Sequence, residues 1–359
     1  MQDTFGREIT YMRISVTEAC NMACRYCSPG GADGKEGRRQ LLSTDQIVDV
    51  CRAAISLGIR NFRFTGGEPL LRQDLQEIVR RVHEIPGVGE LTLTTNGLLL
   101  EGWIEDLVKS GLTGVNISLD TLDRKHFQEI TGVDGLEQVM AGIRKALDFH
   151  GLRIHLNCVP QKGTTEDDLL QLAELSLRYP LSVRFIEMMP LGCGKKYRPV
   201  SNEKVKNLLY RRWPDLTPEE KSMERAGRRA NFSVDGNAGA VEEMPSKTSG
   251  IRASHGLGPA VYYRIPGAAG TIGFISPISD RYCTACNRIR LTSDGYVKGC
   301  LSYASDLSVL PAFQIADREE RQAALVEVLK QGILLKPQAH TFAERAGASE
   351  DRTMQEIGG

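Results

Sequence analysis

Six short apolar or β-branched runs, at residues 11–15, 61–65, 90–95, 114–119, 153–159 and 182–187, are each followed by a stretch in which apolar residues recur at helical spacing. Such alternation forces parallel strands joined by right-handed crossovers, and it gathers the loops after each strand on one side of the sheet. Ser43 and Gln46 form a capping box ahead of Ile47, Val50, Cys51 and Ala54, and Gly58 stops that helix. Leu75, Ile78, Val79 and Val82 mark the next helix, and Leu136, Val139, Met140, Ile143 and Leu147 a later one. Six such units predict an α/β fold, a partial (βα)6 TIM-like barrel, over residues 1–212. After that the rhythm breaks, and Gly and Pro become frequent between residues 236 and 277. Residues 213–359 are expected to form a loop-rich α+β extension that closes the barrel, with strands at 261–265, 271–275 and 288–292 and then two or three helices.

The 45 basic and 45 acidic residues cancel, so no global field recruits nucleic acid or an anionic membrane. Any anionic ligand has to be held by a local basic cluster. No apolar run approaches the roughly 18 residues of a membrane span, and the first ten residues lack the order of a secretory signal, so a cytoplasmic location is expected. Thiols stay reduced there, which turns the nine cysteines toward metal ligation. Cys20, Cys24 and Cys27 form C-x3-C-x2-C directly after the first strand, and Cys283, Cys286 and Cys300 form C-x2-C-x13-C. Neither triad has an obvious fourth ligand. A cubane on three thiolates leaves one iron open for an external ligand, whereas structural zinc, the alternative for either triad, usually takes four. Cys51, Cys158 and Cys193 belong to neither triad. Arg288 and Arg290 are two apart, so on a strand both side chains share one face, where they can hold phosphate oxygens or simply edge a solvated strand.

The first triad, with Tyr26 before its last Cys, resembles the motif of the radical S-adenosylmethionine superfamily. Thr65-Gly66-Gly67-Glu68-Pro69 resembles that superfamily's GGEP motif, and Thr94-Thr95-Asn96-Gly97 and Ser118-Leu119-Asp120 match at further strand ends. Gly273-Phe274-Ile275-Ser276-Pro277, the run from Cys283 through Cys286-Asn287-Arg288-Ile289-Arg290-Leu291, and Cys300-Leu301 closely resemble the C-terminal region of the GTP 3′,8-cyclase family, also called molybdenum cofactor biosynthesis protein A. The resemblance covers nearly the whole chain and is weakest over residues 211–258. It implies two 4Fe-4S clusters, one per triad, with S-adenosylmethionine on the first and the guanine of GTP at the second. It further implies conversion of GTP to (8S)-3′,8-cyclo-7,8-dihydroguanosine 5′-triphosphate in molybdenum cofactor biosynthesis: an adenosyl radical takes the 3′ hydrogen and the resulting carbon radical adds to C8.

Carried over residue by residue, the resemblance assigns Tyr26, Gly67, Ser118, Arg184 and Met189 to S-adenosylmethionine. It assigns Arg13, Arg63, Thr94, Lys162, Arg288, Ile289 and Arg290 to GTP, and Gly358 and Gly359 to a tail that reaches the active site beside Arg13. Ser28 and Pro29 stand where the family usually reads Met-Pro, and Arg281-Tyr282 where it reads His-Phe; neither change removes a ligand. The partners it implies are an electron donor such as flavodoxin or ferredoxin and a downstream cyclic pyranopterin monophosphate synthase, and a homodimer is compatible with the sequence. Two rivals stay open on the residues alone: a peptide-modifying radical enzyme with an auxiliary cluster, which would not bind GTP, and a zinc-stabilised binding module, which would be colourless.

Overall fold

A computed structural model describes residues 1–27, 40–219, 258–280, 282–342, 350 and 352–358. The first strand, β1 (Tyr11–Ser15), leads to α1 (Thr44–Ser56), β2 (Asn61–Thr65), α2 (Leu75–His83), β3 (Leu91–Thr95), α3 (Leu100–Lys109) and β4 (Gly114–Ser118). Then follow α4 (Arg124–Thr131), α5 (Leu136–Leu147), β5 (Arg153–Cys158), α6 (Glu166–Arg178), β6 (Ser182–Ile186) and α7 (Asn202–Arg212). The capping box read from Ser43 and Gln46 is formed, and Gly58 turns the chain after α1 at φ 87°. A second box, Thr165 with Asp168, starts α6.

The remaining strands are β7 (Thr217–Pro218), β8 (Val261–Arg264), β9 (Thr271–Ile275), β10 (Arg288–Leu291) and β11 (Val297–Lys298). They join the barrel strands in one open sheet, in the order β11-β10-β1-β2-β3-β4-β5-β6-β9-β8-β7. β10 pairs parallel with β1, and β9 pairs parallel with β6, so the extension adds one parallel strand to each edge of the six-stranded core. The sequence spacing located these strands without revealing that they continue the barrel. Two helices follow, α8 (Arg318–Leu334), which packs on α1, and the short α9 (Met354–Ile357).

Strand alternation divides the sheet into two chemically opposite faces. Met12, Ile14, Phe62, Phe64, Val115 and Phe185 face the helices in the main apolar core, and all are fully buried. The opposite, inward face carries polar side chains in register: Arg290, Arg13 and Arg63 are consecutive cross-strand partners, and Thr92 follows Arg63. Near the other edge, Asn157 pairs with Arg184, and Arg184 with Gly273. Glycine is required at that last position, because a Cβ there would lie 2.9 Å from Arg184 Cγ. Burial of the outer face drives assembly of the sheet, and the polar inner face is left for a ligand.

Candidate active site

The first cysteine loop leaves β1 and is held by the loop after β2. Gly67 N donates to Thr17 O at 2.8 Å and Glu68 N to Ala19 O at 2.7 Å. The approach is too close for side chains: a Cβ on Gly66 would lie 2.3 Å from Thr17 O, and one on Gly67 2.3 Å from Ala19 O. Glu68 is fully buried, and its carboxylate accepts from Leu70 N, Thr95 Oγ1 and Asn96 N at 3.0, 2.8 and 2.7 Å. It therefore ties the ends of β2 and β3 together beneath the cysteines. Asn96 Nδ2 then donates to Asn21 Oδ1 at 2.7 Å. Tyr26 donates its hydroxyl to the buried Asp120 Oδ2 at 2.9 Å.

Burial pushes the thiols of Cys20, Cys24 and Cys27 up, Cys27 to about 12. Negative charge on the neighbouring thiols raises Cys24 and Cys27 further, so the three sulfurs are close enough to act on one another. A polycationic cluster offsets that repulsion, and three thiols on one loop at the mouth of the barrel fit a cubane with one open iron.

In the second triad Cys286 has the opposite electrostatics. Lys336, buried just after the C-terminal end of α8, donates from Nζ to Cys286 Sγ at 3.4 Å, to Arg288 O at 2.9 Å and to Gly299 O at 2.6 Å. Burial alone would raise the Cys286 thiol, but Arg288 and Lys336 outweigh it and bring it down to about 6. Cys283 sits on a single 3-10 turn whose carbonyl accepts from Arg7 Nη1 at 3.0 Å, and Cys300 Sγ lies 3.4 Å from Ser302 Oγ. Lys336 thus draws Cys286 and Gly299, the residue before Cys300, to one ammonium.

Between the two triads lie Arg13, Arg63, Arg288 and Arg290. None of the four is paired with a carboxylate among the described residues, and Arg13 Nε is buried without a hydrogen-bond partner. Burial, and then the neighbouring guanidiniums, lower Arg290 well below the ordinary arginine range, and burial with the charges of Arg63 and Arg288 brings Arg13 down to about 10. Arg288 is raised instead, against burial, by the neighbouring Cys286 thiolate, whereas cations packed like Arg13, Arg63 and Arg290 need an anion to offset their desolvation and mutual repulsion.

Comparison with known proteins agrees with this geometry. Residues 14–176 match the Radical SAM superfamily model, and residues 240–342 match Molybdenum Cofactor Synthesis C. A GTP 3′,8-cyclase of Clostridium perfringens is 35% identical over the full length of both chains, and one of Alkaliphilus metalliredigens is 37% identical, again over both full lengths. The chain belongs to the GTP 3′,8-cyclase family. It is accordingly a radical S-adenosylmethionine enzyme, whose family uses two 4Fe-4S clusters. Molybdenum cofactor biosynthesis protein 1 of Drosophila melanogaster is 34% identical over 96% of this chain and 55% of its own length. Among solved structures, Streptococcus suis SuiB bound to S-adenosylmethionine superposes with a TM-score of 0.54 at 16% identity, over 82% of this chain and 61% of that one, a likeness of fold.

Against that family frame, the expected GTP 3′,8-cyclase residues separate into groups. Arg13, Arg63, Thr94, Arg288 and Arg290 lie on strand positions of the inward face, with Arg63 Nε donating to Thr92 Oγ1 at 3.1 Å. Ile289, on the other face of β10, is fully buried in the apolar core, so only its backbone can meet a ligand. Lys162 is exposed on the loop after β5, its backbone bonded to Arg198 O. Arg184 is buried and is held by Asn157 Oδ1 at 2.9 Å and by Asn116 Oδ1. Ser118 ends β4, and Met189 packs on the small cluster of Leu191, Leu301, Phe342 and Ile357. Gly358 enters the interior, where its carbonyl accepts from Arg290 Nη1 at 2.7 Å and a Cβ would lie 2.7 Å from Ser15 Cβ. The expected tail contact was Arg13, and Arg290 is the guanidinium that Gly358 bonds; Gly359 lies outside the described residues. Asp120, which supports Tyr26, and Lys336, which bonds Cys286, are functional neighbours that motif spacing does not single out. No local pattern marks a lysine that acts across fifty residues of chain.

Proposed function

We propose that this chain cyclises GTP to (8S)-3′,8-cyclo-7,8-dihydroguanosine 5′-triphosphate as a step in molybdenum cofactor biosynthesis, with its two cysteine triads dividing the work. The observation that carries this reading is the lattice of Arg13, Arg63, Arg288 and Arg290 on the inward face between the triads. A triphosphate neutralises such a lattice, and a peptide backbone does not. Cys20, Cys24 and Cys27 hold the cluster that meets S-adenosylmethionine, and Gly67, Ser118, Arg184 and Met189 line that side, with Tyr26 held in place by Asp120. Cys283, Cys286 and Cys300 would hold the second cluster, whose open iron would take the guanine. When bound, the reduced first cluster would supply one electron to S-adenosylmethionine, whose sulfonium S–C5′ bond breaks to release methionine and leave a 5′-deoxyadenosyl radical able to take a hydrogen from C3′ of GTP.

The protein's own contribution is positional. Both reacting carbons belong to one nucleotide, so the arginines act by fixing the conformer in which C3′ and C8 approach, and burial keeps water from the intermediate. Lys162 joins the phosphates from the loop after β5, and Thr94 contacts the nucleotide from β3. The Gly358 backbone enters the same interior without a side chain to block it.

The experiment is anaerobic reconstitution to about eight irons per chain, followed by incubation with GTP, S-adenosylmethionine and dithionite. Formation of 5′-deoxyadenosine together with a cyclised nucleotide is the expected result. Two clusters with no response to GTP would move the chain to the peptide-modifying alternative.

A further inference from the structure

One buried ion pair in the C-terminal part of the chain plays no part in the site described above. Lys298 on β11 and Glu350 are 2% and 4% exposed in their side chains, and Lys298 Nζ bonds Glu350 Oε2 directly. Lys298 Nζ also donates to Tyr303 O. In the β10–β11 ladder Lys298 is the cross-strand partner of Arg290, the residue whose Nη1 holds Gly358 O at 2.7 Å. Two neighbouring cations of one ladder thus hold the last segment at two points, Lys298 at Glu350 and Arg290 at Gly358.

Between these points the segment is fastened again. Arg352 N donates to Glu350 Oε1 at 3.0 Å, and the Arg352 guanidinium lies 5.1 Å from the Tyr296 ring centre and 3.5 Å from Asp294 Oδ1. Gln355 Nε2 donates to Glu18 O at 2.6 Å, beside the first cysteine loop. A solvent-exposed pair fixes little, because water and salt screen it and long side chains lose freedom in forming it. Here both charges are out of water, so removing either partner strands the other in the interior.

We propose that Lys298 and Glu350 are a positioning pair: they set where the tail begins its path, so that Gly358 arrives at Arg290 and the guanidinium lattice takes the arrangement needed for cyclisation. This rests on the reading of the tail as part of the GTP site. The pair also leaves the Arg290 guanidinium flanked by a neutralised lysine instead of a bare cation.

The test uses reconstituted full-length protein with Glu350→Gln, Lys298→Met, and the double variant K298M/E350M. Three quantities are measured: iron and sulfide per chain, deuterium uptake by residues 352–358, and the ratio of cyclised nucleotide to 5′-deoxyadenosine. Each single variant is expected to keep both clusters, to exchange tail amides at least tenfold faster, and to lose at least tenfold in the product ratio while still cleaving S-adenosylmethionine. The double variant strands no charge but also lacks the bond, so it is expected to keep both clusters while its tail amides still exchange faster than wild type; wild-type protection in it overturns the positioning role. Wild-type exchange in both single variants overturns the anchor, and faster exchange with an unchanged ratio overturns the positioning role. A wild-type protein that makes no cyclised nucleotide defeats the functional reading alone, because the exchange measurement still judges the anchor.

Discussion

The two cysteine triads look alike as sequence, three thiols without a fourth, yet the fold gives them opposite surroundings. The first lies over buried carboxyl groups: burial and the Glu68 charge raise Cys20, and burial, with Cys27 and then Asp120, raises Cys24. The second lies among cations, where Arg288 and Lys336 overcome burial at Cys286. The proposed function divides the ligands in the same way. A sulfonium with an ammonium group suits the anionic side, and a triphosphate suits the cationic one. The barrel sets the two triads at opposite ends of neighbouring parallel strands, the first after β1 and Cys283 and Cys286 before β10.

The comparison is broken most severely by removing a ligand from the anionic side. Cys24→Ser is expected to abolish S-adenosylmethionine cleavage altogether and to halve the iron, from about eight per chain to about four, measured as 5′-deoxyadenosine and by iron assay. Deleting Gly358 and Gly359 leaves both triads untouched, so both clusters should persist while cyclisation is lost. Full cyclisation after that deletion would separate the tail from the site.

A smaller change sharpens the cationic side. Arg290→Ala removes charge-assisted hydrogen bonds of about 1.5–3 kcal/mol, so GTP affinity should fall roughly 10- to 150-fold, with S-adenosylmethionine binding unchanged by titration calorimetry. The smallest perturbation is chemical. In cluster-free protein Cys286 is a thiolate above pH about 6 and loses that form as pH falls through 6, whereas Cys27 stays protonated until about 12. Iodoacetamide at pH 7 should therefore alkylate Cys286 well before Cys27, and the Cys286 rate should fall roughly tenfold per pH unit below about 6. Equal labelling at pH 7 would erase the electrostatic contrast.

Much of this organisation is legible in the sequence because it is local. The period-two strands, the Ser43–Gln46 box and both cysteine spacings lie within a few residues of one another, and the structure places all six expected core strands within a residue of their predicted ends. What escaped is long-range. Nothing near residues 271–275 or 288–291 says that they flank β6 and β1 as parallel edge strands. Ile289 shows the limit of carrying a site over by motif: it stands between two inward arginines, and the strand period turns its side chain into the core. Lys336 and the Lys298–Glu350 pair depend on segments that meet only after folding.

The division of labour between the two sides is tested most directly in protein with Cys283, Cys286 and Cys300 all replaced by Ser, reconstituted and given GTP, S-adenosylmethionine and dithionite. The account predicts about four irons per chain, continued formation of 5′-deoxyadenosine and no cyclised nucleotide. Cyclised nucleotide from that variant, or loss of S-adenosylmethionine cleavage with the first cluster intact, would contradict it.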